Sequence, residues 1–159
     1  MPVPPWSGAF APRSPEPGEP TPTPAVFTVA SATRLLPYLR ATLSAAQAHV
    51  ASMRALGAEM RRMEAVGRRG DGALILAADH AAAQRRRAGH GEECERLLRQ
   101  IATHGCQVKD LTSGLCDFPA VVEGRPVLLC WRMDEPAIAH YHGETEGFAG
   151  RHPLPPDTP

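Results

Sequence analysis

A stripe of apolar residues constrains the first half of this chain. Leu36, Leu39, Leu43, Ala46, Val50, Met53 and Met60 recur at steps of three, four or seven. One face of an α-helix has this period and a strand does not. The stripe drifts toward Leu56 and Met63 around Gly57. It extends for about three heptads, the pattern of a helix packed along its length as in a coiled coil. Thr28 is placed to cap the first turn, with Phe27 before it as a hydrophobic staple. Pro37 lies inside the stripe and is expected to kink the helix over residues 33–37. A helix over residues 28–66 is about 58 Å long at ~1.5 Å per residue. So long an apolar face needs a second helix beside it.

That second helix is expected over residues 72–104. Gly67-Arg68-Arg69-Gly70-Asp71-Gly72 supplies the turn, with Asp71 as its N-cap. Leu74, Ala78, Ala81, Ala88, Cys94, Leu97, Leu98 and Ile101 form its apolar side. Its middle, QRRRAGHGEE, is expected to bend or fray, since each glycine costs about 1 kcal/mol against alanine in a helix. Gly105 is the C-terminal stop. Residues 25–105 therefore read as an antiparallel α-helical hairpin. Its incompletely covered seam predicts a homodimer.

From residue 106 the period changes to two. Val127, Leu129, Trp131 and Met133 fall on one strand face, and Leu128, Cys130 and Arg132 on the other. Glu123-Gly124 is a hairpin turn between two apolar runs. Cys106–Leu111 is a leading strand, and Ala137–His142 a further one with Ile138, His140 and His142 on one side. The fold class is α+β, mainly α: a long helical hairpin followed by a small, mainly antiparallel β-sheet of three or four strands. The sheet needs a cover, which the hairpin supplies, so residues 106–154 pack with it as one domain. Residues 1–24 hold nine prolines and no apolar period. They read as a disordered tail, as does the proline-containing end over 155–159.

Charge and cysteines exclude more than they assign. Residues 25–105 carry twelve arginines and seven acids, a net +5; residues 106–159 carry a net −4. The two parts are complementary, which favours packing on each other or on a second copy. Arg outnumbers Lys 16 to 1. With the abundant Ala, Gly and Pro, this bias reads as a GC-rich coding sequence, so arginine clusters at the hairpin tip carry little weight. With no interleaved aromatics, a nucleic-acid partner is not expected. No run of about 18 apolar residues suggests a membrane span. The start, MPVPPWSGAF, lacks a basic segment followed by an apolar one. Localisation in the cytoplasm with reduced thiols is therefore expected. Cys94, Cys106, Cys116 and Cys130 form no CxxC pair and no zinc-ribbon spacing.

FTVASATRLLPYLR and VKDLTSGLCDFPAVVEGRPVLLCWRMDEPAIAHYHGETEGFAGRHPL resemble a family of small bacterial proteins filed as domain of unknown function 2203. The resemblance covers roughly residues 26–154. Its specific parts are FT…LLP, VKDL, GLCDFPA, G-R-x-V-x-L-C-W-R and H-x-x-x-x-G-F-A-G-R. It implies a helical hairpin with a short β region in the cytoplasm, and no particular activity. Two positions depart from the family pattern: Tyr141 stands where Trp is frequent, and Ser31 where an acid is, which weakens a capping box with Thr28.

Five groups of residues can carry chemistry. His140 and His142, two apart on a strand, point the same way, and Glu144 follows at the same step. Such a set can supply two or three ligands to a divalent metal, zinc or iron. A complete site needs Asp110, Asp117 or Cys130 from another strand; otherwise these are strand-edge histidines. Asp110 and Asp117 flank the Thr112–Ser113–Gly114 turn; hydrogen bonds to nearby amides are favoured over acid–base work. Cys130 is a small buried hydrophobe, or a nucleophile paired with His140 or His142. Trp131 is core or interface, its N–H in need of an acceptor. Gly147-Phe148-Ala149-Gly150-Arg151 is a closing turn whose Arg151 pairs with an acid, or holds an anionic ligand. The leading expectation is a non-enzymatic interaction or assembly module that homodimerises or meets a protein partner. The alternative is a metal- or small-ligand-binding protein, or an enzyme, with its site on the His140/His142 face near Gly147–Arg151.

Overall fold

The computed structural model describes residues 26–67, 73–156 and 158. The proline-rich tail over 1–24 and the turn over 68–72 lie outside the described residues. Among the described residues two helices, α1 (Val29–Gly67) and α2 (Ala73–Thr103), precede five strands: β1 (Gln107–Asp110), β2 (Leu115–Val122), β3 (Arg125–Trp131), β4 (His140–His142) and β5 (His152–Pro153). A single 3-10 turn, Phe148–Gly150, links the last two strands. The chain divides into two compact units, one of them Thr42–Arg99 and the other the remainder; the division falls inside both helices.

Thr28 caps α1 as expected. Its hydroxyl accepts the Ser31 N–H at 3.1 Å, and the Ser31 hydroxyl accepts the Thr28 N–H at 2.9 Å. Serine thus closes the reciprocal box that an acid closes elsewhere, a cap worth ~1 kcal/mol. The helix continues through Pro37, whose missing N–H leaves the Thr33 carbonyl without its usual donor. α2 also runs unbroken through Gly89 and Gly91, where fraying was expected.

Within Thr42–Arg99 the two helices run antiparallel. His49 meets His90 (Nδ1 to Nδ1, 2.9 Å), Glu59 pairs with Arg86 at 3.7 Å and Glu64 with His80 at 3.0 Å. A side chain at Gly91 would rest on Met53 at 3.5 Å, so α2 covers this part of the α1 seam. Met53, Leu56, Ala83 and Cys94 are buried in this unit.

In the other unit the five strands form one antiparallel sheet in sequence order, β1 to β5. That is one strand beyond the three or four expected: β5 consists of two residues and exists by pairing with β4. β2 and β3 join through Glu123 and Gly124, both at positive φ (52° and 77°). This is the backbone of a type I′ turn, whose twist matches that of the strands. Cys116, Phe118, Ala120 and Val127, Leu129, Trp131 share one face and are buried. The start of α1 lies on it. Phe27 meets Phe118 edge-on at 5.3 Å and donates its N–H to Pro119 O, while Arg40 stacks on Trp131 at 4.9 Å. No described helix is long and apolar enough to cross a membrane.

Candidate metal centre

The second face of the sheet carries the polar residues. With a period of two, Asp117 on β2, Cys130 on β3 and His140 and His142 on β4 all point away from Phe118 and Trp131. The register aligns them further: Asp117 lies opposite Cys130, Cys130 opposite His140, and His142 one step on, opposite Leu128. Asp117, Cys130 and His142 converge. Their donor atoms lie within 4.8 Å of one another, and the residues are 2, 0 and 2 % exposed. This buried Asp/Cys/His group can hold a metal ion.

Hydrogen bonding sets the state of His142. Its Nδ1 lies 2.7 Å from Gly143 O; a carbonyl only accepts, so Nδ1 carries the proton. In the neutral ring Nε2 then presents a lone pair, and it faces Asp117 Oδ2 at 3.3 Å. Two acceptors face each other in a buried place, an arrangement that calls for a cation between them, either a proton or a metal. A backbone carbonyl holding the far nitrogen is also how ligating histidines are oriented. Asp117 Oδ1 is buried without a hydrogen-bond partner.

The spacing suits a tetrahedral ion. Bonds of about 2.0–2.2 Å from N and O at the tetrahedral angle put the two donors about 3.4 Å apart, against the 3.3 Å observed for His142 and Asp117. The thiol needs to come to about 3.6 Å from the nitrogen, a movement of about 1.2 Å at most from a separation within 4.8 Å. Burial first, then the Asp117 charge, pushes the Cys130 thiol up to about 12, opposed by Arg151. Without a metal, Cys130 is therefore a thiol and not a nucleophilic thiolate.

The remaining expected residues separate. His140 shares the face, and its Nδ1 is buried with no hydrogen-bond partner. Glu144 is exposed and outside the group, because β4 ends at His142 and Gly143 turns the chain, its N–H bonded to Glu146 at 2.8 Å; Asp117 takes its place. Asp110 serves its own turn, accepting from the Thr112 and Ser113 amides at 3.0 and 3.1 Å and from the Ser113 hydroxyl. The Ser113 bonds hold its carboxyl below the ordinary value. Trp131 is on the core face, not at the site; its indole N–H donates to Glu135 O at 3.0 Å. Arg151 pairs with Glu135 at 2.7 Å and stacks on Phe148 at 3.8 Å, while its charge also reaches Cys130.

Sequence reasoning missed Glu135. Its carboxylate binds both Arg151 and the Arg132 N–H, and its carbonyl takes Trp131 and Arg40. The signal available was its place before Pro136, after the last strand residue of a buried run.

A family model described as an uncharacterised conserved protein, DUF2203, matches residues 25–154. No curated protein and no solved structure matches the chain. With its hairpin, its sheet and its buried Asp/Cys/His group all inside the matched span, the chain belongs to the DUF2203 family.

Proposed function

We propose that this chain is a non-enzymatic metal-binding module in which Asp117, Cys130 and His142 hold one divalent transition ion, zinc or iron. The observation that carries the reading is His142: its Nδ1 proton is committed to Gly143 O, so the Nε2 lone pair and the Asp117 carboxylate share a space that a cation satisfies. The mixed sulfur, nitrogen and oxygen donors suit zinc or iron better than magnesium or calcium, which prefer oxygen alone. The near-complete burial of all three donors is the setting of a structural ion that ties β2, β3 and β4 together. Metal binding adds to folding stability in such sites, because the unfolded chain has no preformed site.

The test is elemental analysis of the full chain, expressed without a histidine tag, with thermal melting before and after EDTA. About one equivalent of metal, and a melting temperature lowered by EDTA, support the reading. Metal-free protein whose melting EDTA leaves unchanged overturns it. The oligomeric part of the expectation, a homodimer through the hairpin, is read by light scattering at tens of micromolar; a monomer there removes it and leaves the metal reading intact.

A further inference from the structure

Three donors fill three of the four positions of a tetrahedral ion. One residue on the same face is unaccounted for. His140 lies directly opposite Cys130 across the β3–β4 ladder, a relation that brings side chains on one face to about 5 Å at Cβ. Its neighbour on the other side is Pro153, so of the two flanking side chains only Cys130 is polar. Yet His140 Nδ1 is buried with no hydrogen-bond partner. A buried imidazole nitrogen in that condition is costly. Among the described residues, the other buried polar side-chain atom in the same condition is Asp117 Oδ1, in the same cross-strand row of Asp117, Cys130 and His140. Both unsatisfied atoms thus belong to side chains that flank the Cys130 thiol.

We propose that His140 is the fourth ligand, swinging its imidazole toward Cys130 to close a shell of one thiolate, two imidazoles and one carboxylate that takes Zn²⁺ and leaves no exchangeable position. This rests on the metal reading above and refines it. With three ligands the ion keeps an open position for water or substrate; with His140 it is a closed structural centre. The order of donors also explains why His140 and His142 are both histidines on one face of a three-residue strand. One comes from the Cys130 row and the other from the next, so they approach the ion from different directions.

The test is cobalt(II) substitution in the full chain, read by visible and near-ultraviolet absorption, for wild type, His140→Ala and His140→Cys. Wild type is expected to give the intense visible bands of four-coordinate cobalt and one thiolate charge-transfer band. His140→Ala is expected to weaken the visible bands as water enters, and to loosen zinc by more than the roughly 10–100-fold that loss of an outer-shell partner costs. Added imidazole should restore the bands. His140→Cys should restore four-coordination and roughly double the thiolate band, a change that a merely structural role cannot produce. Unchanged visible bands in His140→Ala, together with no added thiolate band in His140→Cys, overturn the proposal while leaving the three-ligand site standing. Failure of wild type to bind cobalt or zinc overturns both.

Discussion

Removing the Glu135 carboxylate tests the polar scaffold around the site. The carboxylate accepts the Arg132 N–H at 2.8 Å and an Arg151 N–H at 2.7 Å. The Arg151 and Glu135 side chains are only 15 % and 18 % exposed, so water compensates for little of the loss. Two charge-assisted bonds contribute at most ~1.5–3 kcal/mol each, and a partly buried pair recovers some solvation when broken. Glu135→Ala is therefore expected to cost about 2–4 kcal/mol, or a fall of roughly 5–12 °C in melting temperature for a chain of this size. Glu135→Gln keeps an acceptor for the Arg132 amide and should cost about half as much. Urea unfolding followed by circular dichroism measures both. A double-mutant cycle with Arg151→Ala isolates the pair and should return ~1–2 kcal/mol of coupling. A cost below about 0.5 kcal/mol for Glu135→Ala would refute the view that this carboxylate anchors the loop between β3 and β4.

Other consequences are more local. The depressed Asp110 carboxyl contributes stability that is present above its unfolded value and lost as pH falls through its folded value. Asp110→Ala should thus cost about 0.5–1 kcal/mol at neutral pH, after allowance for solvent screening at an exposed turn. In urea melts the difference from wild type should vanish once the pH is below that folded value. Gly114 has φ of 66°, and a Cβ there would come 2.6 Å from Met133 Cβ; Gly114→Ala is expected to cost ~1–3 kcal/mol, read by thermal melting. All four cysteines are buried; burial raises Cys94 and Cys130, while Cys106 is raised by its hydrogen bond with Cys116 and then by burial. A thiol reagent at neutral pH should label them slowly in the folded chain and fully in urea; rapid labelling of Cys130 in the native state would contradict its placement.

Much of this architecture was legible because it is set by local periods. The stripe from Leu36 to Met60 specified α1, and the two-residue alternation around Trp131 specified β3. Gly105, at positive φ, ended α2 where expected. α2 was harder to read through QRRRAGHGEE, since two glycines argue locally against a helix. Contacts to the neighbouring helix, such as Met53 beside Gly91, offset that cost, and they are not visible in a local window. β5 escaped notice because two residues carry no period; its existence depends on Tyr141 pairing with His152.

The site divides the same way. The paired histidines were visible because residues two apart on a strand face one way. The approach of Asp117 to Cys130 follows from the two-residue Glu123–Gly124 turn, since Val122 opposite Arg125 places Asp117 opposite Cys130 five steps on. Counting back from that turn would have found it. The β3–β4 register, which delivers His142, is set by the loop over 132–139 and its anchors on Arg40, Trp131 and Glu135. No sequence period encodes that register, which is why Glu144 looked as suitable as Asp117.

X-ray absorption at the zinc edge on the full chain, loaded with one equivalent of zinc, reads the donor set of the Asp117/Cys130/His142 centre itself. One sulfur is expected at about 2.3 Å, with the remaining ligands nitrogen or oxygen at about 2.0–2.2 Å and imidazole scattering beyond them. Zinc that the chain does not retain, or zinc bound by oxygen alone with no sulfur, would contradict it.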